Sequence, residues 1–355
     1  MKSVTLVRSL SAALLLSVAS IAALAAPATY KIVNHITVPD GRWDYATFDA
    51  STNKVYVAQP AGTAVLDVKS GKVSMLTSPS GGHITLPIPG TTMALVTQGA
   101  PGMARVVDLA TDKVLADIPA GKNPDGAAYD AATKMGYAIN HTSGDVTPID
   151  FKTLKAGPTI AVGGTLEFPV TDGLGKLFIN IEDTGEIAVI DTKAGKLLTK
   201  YKMKDCEGPT GLAYDAADKL LISACDGMTK FIKSDTGVEV ASVATTAGAD
   251  AAMYDAKNHV ALIPSGSGEL DIISLADPTK PVLAQKLPTV RGARTGTLDT
   301  NTGLVYMMSS QPAPAAPAAA APAPAAGATP AAAPGRGRGP GALPGSYALV
   351  VVGPG

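Results

Sequence analysis

One phrase returns seven times along this chain, and that recurrence restricts the fold more than any other feature. It runs as a short apolar strand ending in Asp, a polar turn, a second strand, a turn, a third strand and a basic link into a fourth. The first copy reads Tyr45-Ala-Thr-Phe-Asp49, Asn53-Lys-Val-Tyr-Val-Ala58, Ala64-Val-Leu-Asp-Val68 and Gly71-Lys-Val-Ser-Met-Leu76. The corresponding first turns fall at Asp49, Pro89, Asp130, Asp172, Asp215, Asp255 and Asp299, spaced by 40, 41, 42, 43, 40 and 44 residues. A unit of four short strands cannot bury its faces alone, so units of this period stack side by side as the blades of a propeller. Asp at the end of a first strand accepts hydrogen bonds from the backbone two residues on. This nucleates the turns in Phe48-Asp-Ala-Ser-Thr-Asn53 and Tyr129-Asp-Ala-Ala-Thr133. Val, Ile, Leu and Tyr fill the strands and no helix-period stripe interrupts them, so little helix is expected.

The two ends of the chain complete the count. The last copy has strands at Thr295 to Asp299, Leu304 to Met308 and Tyr347 to Val352, and then the chain stops. Its fourth strand is supplied by Lys31-Ile-Val-Asn-His-Ile-Thr-Val38, a splice that removes the open edges a ring of sheets would otherwise expose. The expected fold is all-β: a seven-bladed propeller of four-stranded antiparallel blades, closed by an N-terminal strand that completes the last blade. Two segments depart from the pattern. Residues 311–345 are almost entirely Ala, Pro and Gly, with Arg336 and Arg338 between glycines. Such a composition buries too little apolar surface to offset chain entropy, so a disordered insertion in blade seven is expected, with a tether to cell wall or a partner protein as the functional alternative. In blade two, Leu86-Pro-Ile-Pro-Gly90 replaces the strand-Asp turn and is expected to distort that blade.

Residues 1–25 read as a signal peptide. Lys2 and Arg8 precede an apolar run from Leu10 to Leu24, and Ala23-Leu24-Ala25 is the small-x-small pattern of a cleavage site. The remainder, 26–355, is expected to form one propeller domain in the periplasm or outside the cell. No later run is long enough to span a membrane. The formal charge of −1 moves to near −3 once the two leader cations are removed, which gives no support to nucleic-acid binding.

Residues just before each first strand and just after each second strand gather at one mouth of a propeller's channel. The lead-in residues are Trp43-Asp44-Tyr45, Gly82-His83, Asn123-Pro124-Asp125, Leu166-Glu167-Phe168, Cys206 to Thr210, Ala249-Asp250 and Arg291 to Arg294. The return residues are Gln59, Gln98, Asn140 with His141, Asn180, Cys225, Ser265 and Ser309. From this rim, Trp43, Asp44, His83, Asp125, Asn140, Glu167, Asn180, Asp250 and Arg294 are the ligand-binding candidates. His83, Asp125, His141 and Glu167 are residue types that hold a divalent metal ion, with Asn140 and Asn180 as outer ligands. Arg294, flanked around the ring by Asp250 and Asp44, is either an ion-pair lock or an anion clamp. Trp43 is either a wedge between blades or a stacking platform. Cys206 and Cys225, the only cysteines, fall on adjacent strands and are expected to form a disulfide. His35 and His259 are expected to be incidental.

These motifs resemble the YncE-like, YVTN-repeat family of bacterial extracytoplasmic propellers, over nearly the whole stretch from Tyr30 to Gly353. The resemblance is carried by Trp43-Asp-Tyr45, Asn123-Pro-Asp125, Glu167-Phe168, Cys206-Glu-Gly-Pro-Thr-Gly-Leu212, Asp250-Ala251 and Gly292-Ala-Arg-Thr295. It implies a seven-bladed, exported protein and supplies no catalytic residues. Three functions compete: a monomeric binding protein for a small molecule or protein at the polar mouth, a metal-dependent hydrolase or lactonase using the same rim, and an envelope scaffold or adhesion protein working through the insertion. In the second, a cation would polarise an ester carbonyl with Asp125 or Glu167 as base. The absence of a Gly-x-Ser-x-Gly elbow disfavours serine chemistry.

Overall fold

The computed structural model describes residues 29–312 and 342–355. The signal-peptide segment and most of the Ala/Pro/Gly-rich insertion lie outside them. The described chain forms seven antiparallel sheets, each running from an inner strand at the channel to an outer strand at the rim. Blade one comprises Ala46–Asp49, Lys54–Gln59, Gly62–Asp67 and Val73–Leu76. Blade seven comprises Gly296–Asp299, Leu304–Ser309, Ala348–Pro354 and, from the other end of the chain, Tyr30–Thr37. The splice is antiparallel, from Tyr30 opposite Pro354 to Thr37 opposite Ala348, with one irregularity between Ile32 and Asn34. Among the described residues no helix is long and apolar enough to cross a membrane.

Burial follows from position within a blade. Second and third strands have another blade against each face, so most of their residues are buried; Leu220–Cys225 is buried throughout. Outer strands meet solvent, and Lys196–Lys202 is exposed or half-buried along its length. The core is divided among the spaces between blades. Tyr137 and Ile139 of blade three, for example, pack with Leu177 and Ile179 of blade four.

The turn aspartates also join neighbours. Asp130 accepts hydrogen bonds from Thr133 in its own turn and from Thr192 of the next blade, at 3.0 and 2.7 Å. Tyr30, in the N-terminal strand, donates to Asp255 of blade six at 3.0 Å, tying the closing strand to the preceding blade.

Blade two is not distorted. Ile84–Pro87 pairs with Met93–Gln98 without a register shift, because Pro87 sits on the channel edge, where a missing N–H costs no ladder bond. The break occurs in blade three, whose outer strand divides into Lys155–Ala156 and Ile160–Ala161 around Gly157-Pro158. Proline cannot donate to the ladder there.

Candidate functional site

The acidic residues of the mouth occupy one position of the repeat. Asp44, Asp125, Glu167 and Asp250 each stand five residues before their turn aspartate, as do Thr210 and Arg294. The next residue occupies a position where little room remains. There Tyr45 of blade one and Phe168 of blade four meet with ring centroids 5.1 Å apart. Gly126 and Gly211 hold the same position in blades three and five. A Cβ on Gly211 would lie 2.2 Å from the Ala251 carbonyl carbon, and one on Gly126 would lie 2.8 Å from Pro169. Two large rings therefore seal the axis only because their counterparts are small. Beyond this septum lies an apolar cavity of about 300 Å³ lined by residues such as Phe48, Val170, Leu212, Met253 and Leu298.

Backbone and threonine bonds between blades hold the mouth residues in place. Tyr45 N–H donates to the His83 carbonyl, Thr295 to the Asp44 carbonyl and Thr210 to the Ala249 carbonyl, at 3.0, 3.1 and 2.9 Å. Thr97 donates to the Asp125 carbonyl.

On this ring the side chains form two overlapping groups that share Asp125: Asp44, His83 and Asp125, and Asp125, His141 and Glu167. Within each group, one ligand-type atom from every residue lies within 4.8 Å of the others. His83 Nδ1 lies 2.6 Å from Asp44 Oδ2 and 3.1 Å from Asp125 Oδ1. The Tyr45 hydroxyl donates to Asp125 Oδ2 at 3.4 Å. His141 Nδ1 lies 2.9 Å from the Leu166 carbonyl oxygen and 3.5 Å from Glu167 Oε1, and Glu167 is 8% exposed. Arg294 Nε pairs with Asp250 Oδ2 at 3.1 Å while the guanidinium is about half exposed.

The charges act on one another. Burial, with Asp44 next in effect, pushes the Asp125 carboxyl up to about 6, against a partial counter-effect of His83 and His141. The hydrogen bond that His83 donates to Asp44 holds it above the ordinary imidazole range, opposed by burial. Burial raises the Tyr45 phenol well above its usual value, and Asp125, Glu167, Asp250 and Asp44 all add to the effect. One phenol thus feels four carboxylates from four blades. Such a site can hold a cation, and Asp125 can exchange a proton near neutrality.

The fold is that of the seven-bladed propellers. No protein-family profile matches the chain, and no curated protein matches it in sequence. Among solved structures it is similar to Kuenenia stuttgartiensis hydrazine synthase, with a TM-score of 0.65 and 13% identity, over 76% of this chain and 92% of the other. It is also similar to a chain of the mitotic checkpoint complex, with a TM-score of 0.64 and 13% identity, over 86% and 96% of the two chains. At that identity the likeness concerns the propeller fold alone.

Several rim residues serve the propeller's architecture instead of the ring. Asn180 is fully buried, donating to the Thr210 and Gly211 carbonyls and accepting from Ser223, so its amide is spent between blades four and five. Asn140 turns to Asp145 and Thr147 of its own blade. The Asn180 oxygen is thus engaged by Ser223, whereas Asn140 Oδ1 is buried without a hydrogen-bond partner. Gln59, Gln98 and Ser265 likewise anchor loop carbonyls, at Pro39, Ser80 and Ala247. Trp43 packs edge-on against Tyr347, with centroids 5.8 Å apart, as a wedge between blades seven and one, and its other side lines a shallow cleft with Arg42 and His83. Arg294 takes the ion-pair role with Asp250. The Cys206–Cys225 disulfide forms, with Cα atoms 5.4 Å apart. His35 and His259 are exposed, away from the mouth cluster.

Sequence reading did not single out Tyr45 as the centre of the ring. Its signal was the shared distance to the turn aspartate, which places Tyr45 and Phe168 in equivalent positions where Gly or Ala stands in three other blades.

Proposed function

We propose that the protein is an exported, monomeric binding propeller that captures a small cationic ligand at its acidic mouth. The observation that carries this reading is the gathering of Asp44, Asp125 and Glu167 in two overlapping clusters at the mouth, with Asp250 on the same ring position of blade six. Arg294, paired to Asp250, and His83, between Asp44 and Asp125, offset only part of that charge. A concave site walled by protein concentrates the remaining field and favours positive ligands. The YncE-like motifs, the N-terminal leader and the disulfide support an extracytoplasmic setting.

Calorimetric titration of the mature chain with spermidine at low ionic strength tests the reading. Saturable binding that weakens with salt and disappears in Asp125→Asn is expected. Undetectable binding, or equal binding by the variant, would refute it. A second reading, metal-assisted ester or lactone hydrolysis, is favoured by the grouping of Asp125 with His141 and Glu167, where burial pushes the Asp125 carboxyl up toward the range of general acid–base work. Turnover of a lactone panel, lost in Asp125→Asn, would place that chemistry first.

A further inference from the structure

We propose that the acidic mouth carries a site for one transition-metal dication, ligated by Asp125, His141 and Glu167 and leaving at least one coordination position open to the channel mouth. The inference rests on the cation-capturing reading above and names the ion's class and its ligands.

The first reason is spacing. Ligand atoms of an ion with bonds near 2.0–2.2 Å sit about 3.0–3.5 Å apart. One atom each from Asp125, His141 and Glu167 already lies within 4.8 Å of the others, so small side-chain rotations close the set. Asp44 and His83, at 2.6 Å, stand at hydrogen-bond distance, closer than two ligands of one ion. That pair therefore acts from outside the coordination sphere.

The second reason is how the ligands are held. His141 Nδ1 lies 2.9 Å from the Leu166 carbonyl oxygen and 3.5 Å from Glu167 Oε1, so the ring is held beside that carboxylate, and donation to the carbonyl would leave the lone pair on Nε2 for an ion. Asp125 is oriented on one oxygen by His83, which is itself held by Asp44, and on the other by the Tyr45 hydroxyl. Glu167 is nearly excluded from solvent and comes from a different blade, so the three ligands converge from the lead-in of blade three, its return, and the lead-in of blade four. Supporting partners that fix ring tautomer and carboxylate orientation distinguish a built site from a patch of acids.

The donor set then selects the ion. One imidazole and two carboxylates suit Zn²⁺ or Mn²⁺ better than Mg²⁺ or Ca²⁺, which favour all-oxygen shells. Three protein ligands leave room for water or a ligand donor atom, as in open rather than structural metal sites.

The test is equilibrium dialysis of the chelator-stripped mature chain against Zn²⁺ and Mn²⁺, with metal measured by mass spectrometry. The wild type is expected to bind one ion, and His141→Ala and Glu167→Gln to bind it at least about tenfold more weakly. His259→Ala, remote from the mouth, should bind as the wild type does. Far-UV dichroism of the metal-free variants controls for folding. Cobalt(II) titrated into the wild-type chain reads the site without any variant, through visible bands that Zn²⁺ competes away. Absence of a stoichiometric ion in the wild type, or unchanged affinity in both folded variants, overturns the proposal. Spermidine separates the two readings. If it binds and Asp125→Asn abolishes that binding while no metal is retained, the cation trap stands and the metal site falls; if neither probe binds, both fall.

Discussion

Asp125 and His83 form an ion-pair contact, and their titrations pull stability in the same direction. The folded-state value of Asp125 is raised, chiefly by burial, from 3.8 to about 6. Its contribution is fully present below the unfolded value and is lost as pH rises through about 6. His83 is also raised, chiefly by Asp44, so its contribution is full below 6.5 and fades as pH climbs above that. The chelated protein is therefore expected to melt at a higher temperature at pH 5 than at pH 8. Asp125→Asn should flatten the part of that slope between pH 4 and 6, because the variant no longer has to ionise a buried carboxyl. Thermal melts across this range in the presence of chelator check the sign, and a wild-type slope rising with pH would contradict the assignment. Residue identity at the mouth was legible from the sequence: Asp44, His83, Asp125 and Glu167 were all picked out by their place before a strand. The division of labour was not. Asn180 looks as ligand-like as His141 in a string of letters, and only the direction of its side chain shows that it bonds the Thr210 and Gly211 carbonyls instead of joining the ring.

Among the elements, blade five carries the covalent tie. The Cys206–Cys225 bridge joins the segment before its inner strand to the end of Leu220–Cys225, across a sequence separation of 19. Closing a loop of that size is worth about 2–4 kcal/mol. The double variant Cys206→Ser, Cys225→Ser is expected to lose about that amount in urea unfolding while retaining its far-UV spectrum, and a negligible loss would show that blade packing alone holds the lead-in. Strand composition announced every blade because middle strands, covered on both faces, are mostly apolar. Sequence reading misplaced the irregular blade because it weighed Pro87 and Pro89 without knowing that they lie at a channel edge and in a turn. Pro158, by contrast, falls within an outer strand and breaks it.

At the scale of the whole molecule, ring closure and the insertion make opposite demands. Tyr30–Thr37 is the outer strand of blade seven, and its loss would leave Ala348–Pro354 as an open edge. The insertion, in contrast, leaves blade seven through a stapled neck. Leu343 N–H donates to the Gln311 carbonyl at 2.8 Å, Pro312 bridges Ala342, and Gly345 N–H donates to Asp40. Removing residues 30–37 is expected to abolish cooperative melting. Replacing 313–341 by a short glycine linker should leave the melting temperature within a few degrees and leave mouth binding intact; loss of function in that deletion alone would favour the scaffold role. The sequence by itself determined the number of blades, the strand order, the closure by the N-terminal strand and the disulfide. Each of these follows from a local pattern repeated at fixed spacing, in which every copy obeys the same turn chemistry and the same need to cover its faces. Tertiary structure alone decided which rim residues converge, that Tyr45 and Phe168 seal the axis, and that Asp125 belongs to two clusters at once. Those outcomes depend on distances between residues of different blades, and such distances are fixed only when the ring closes.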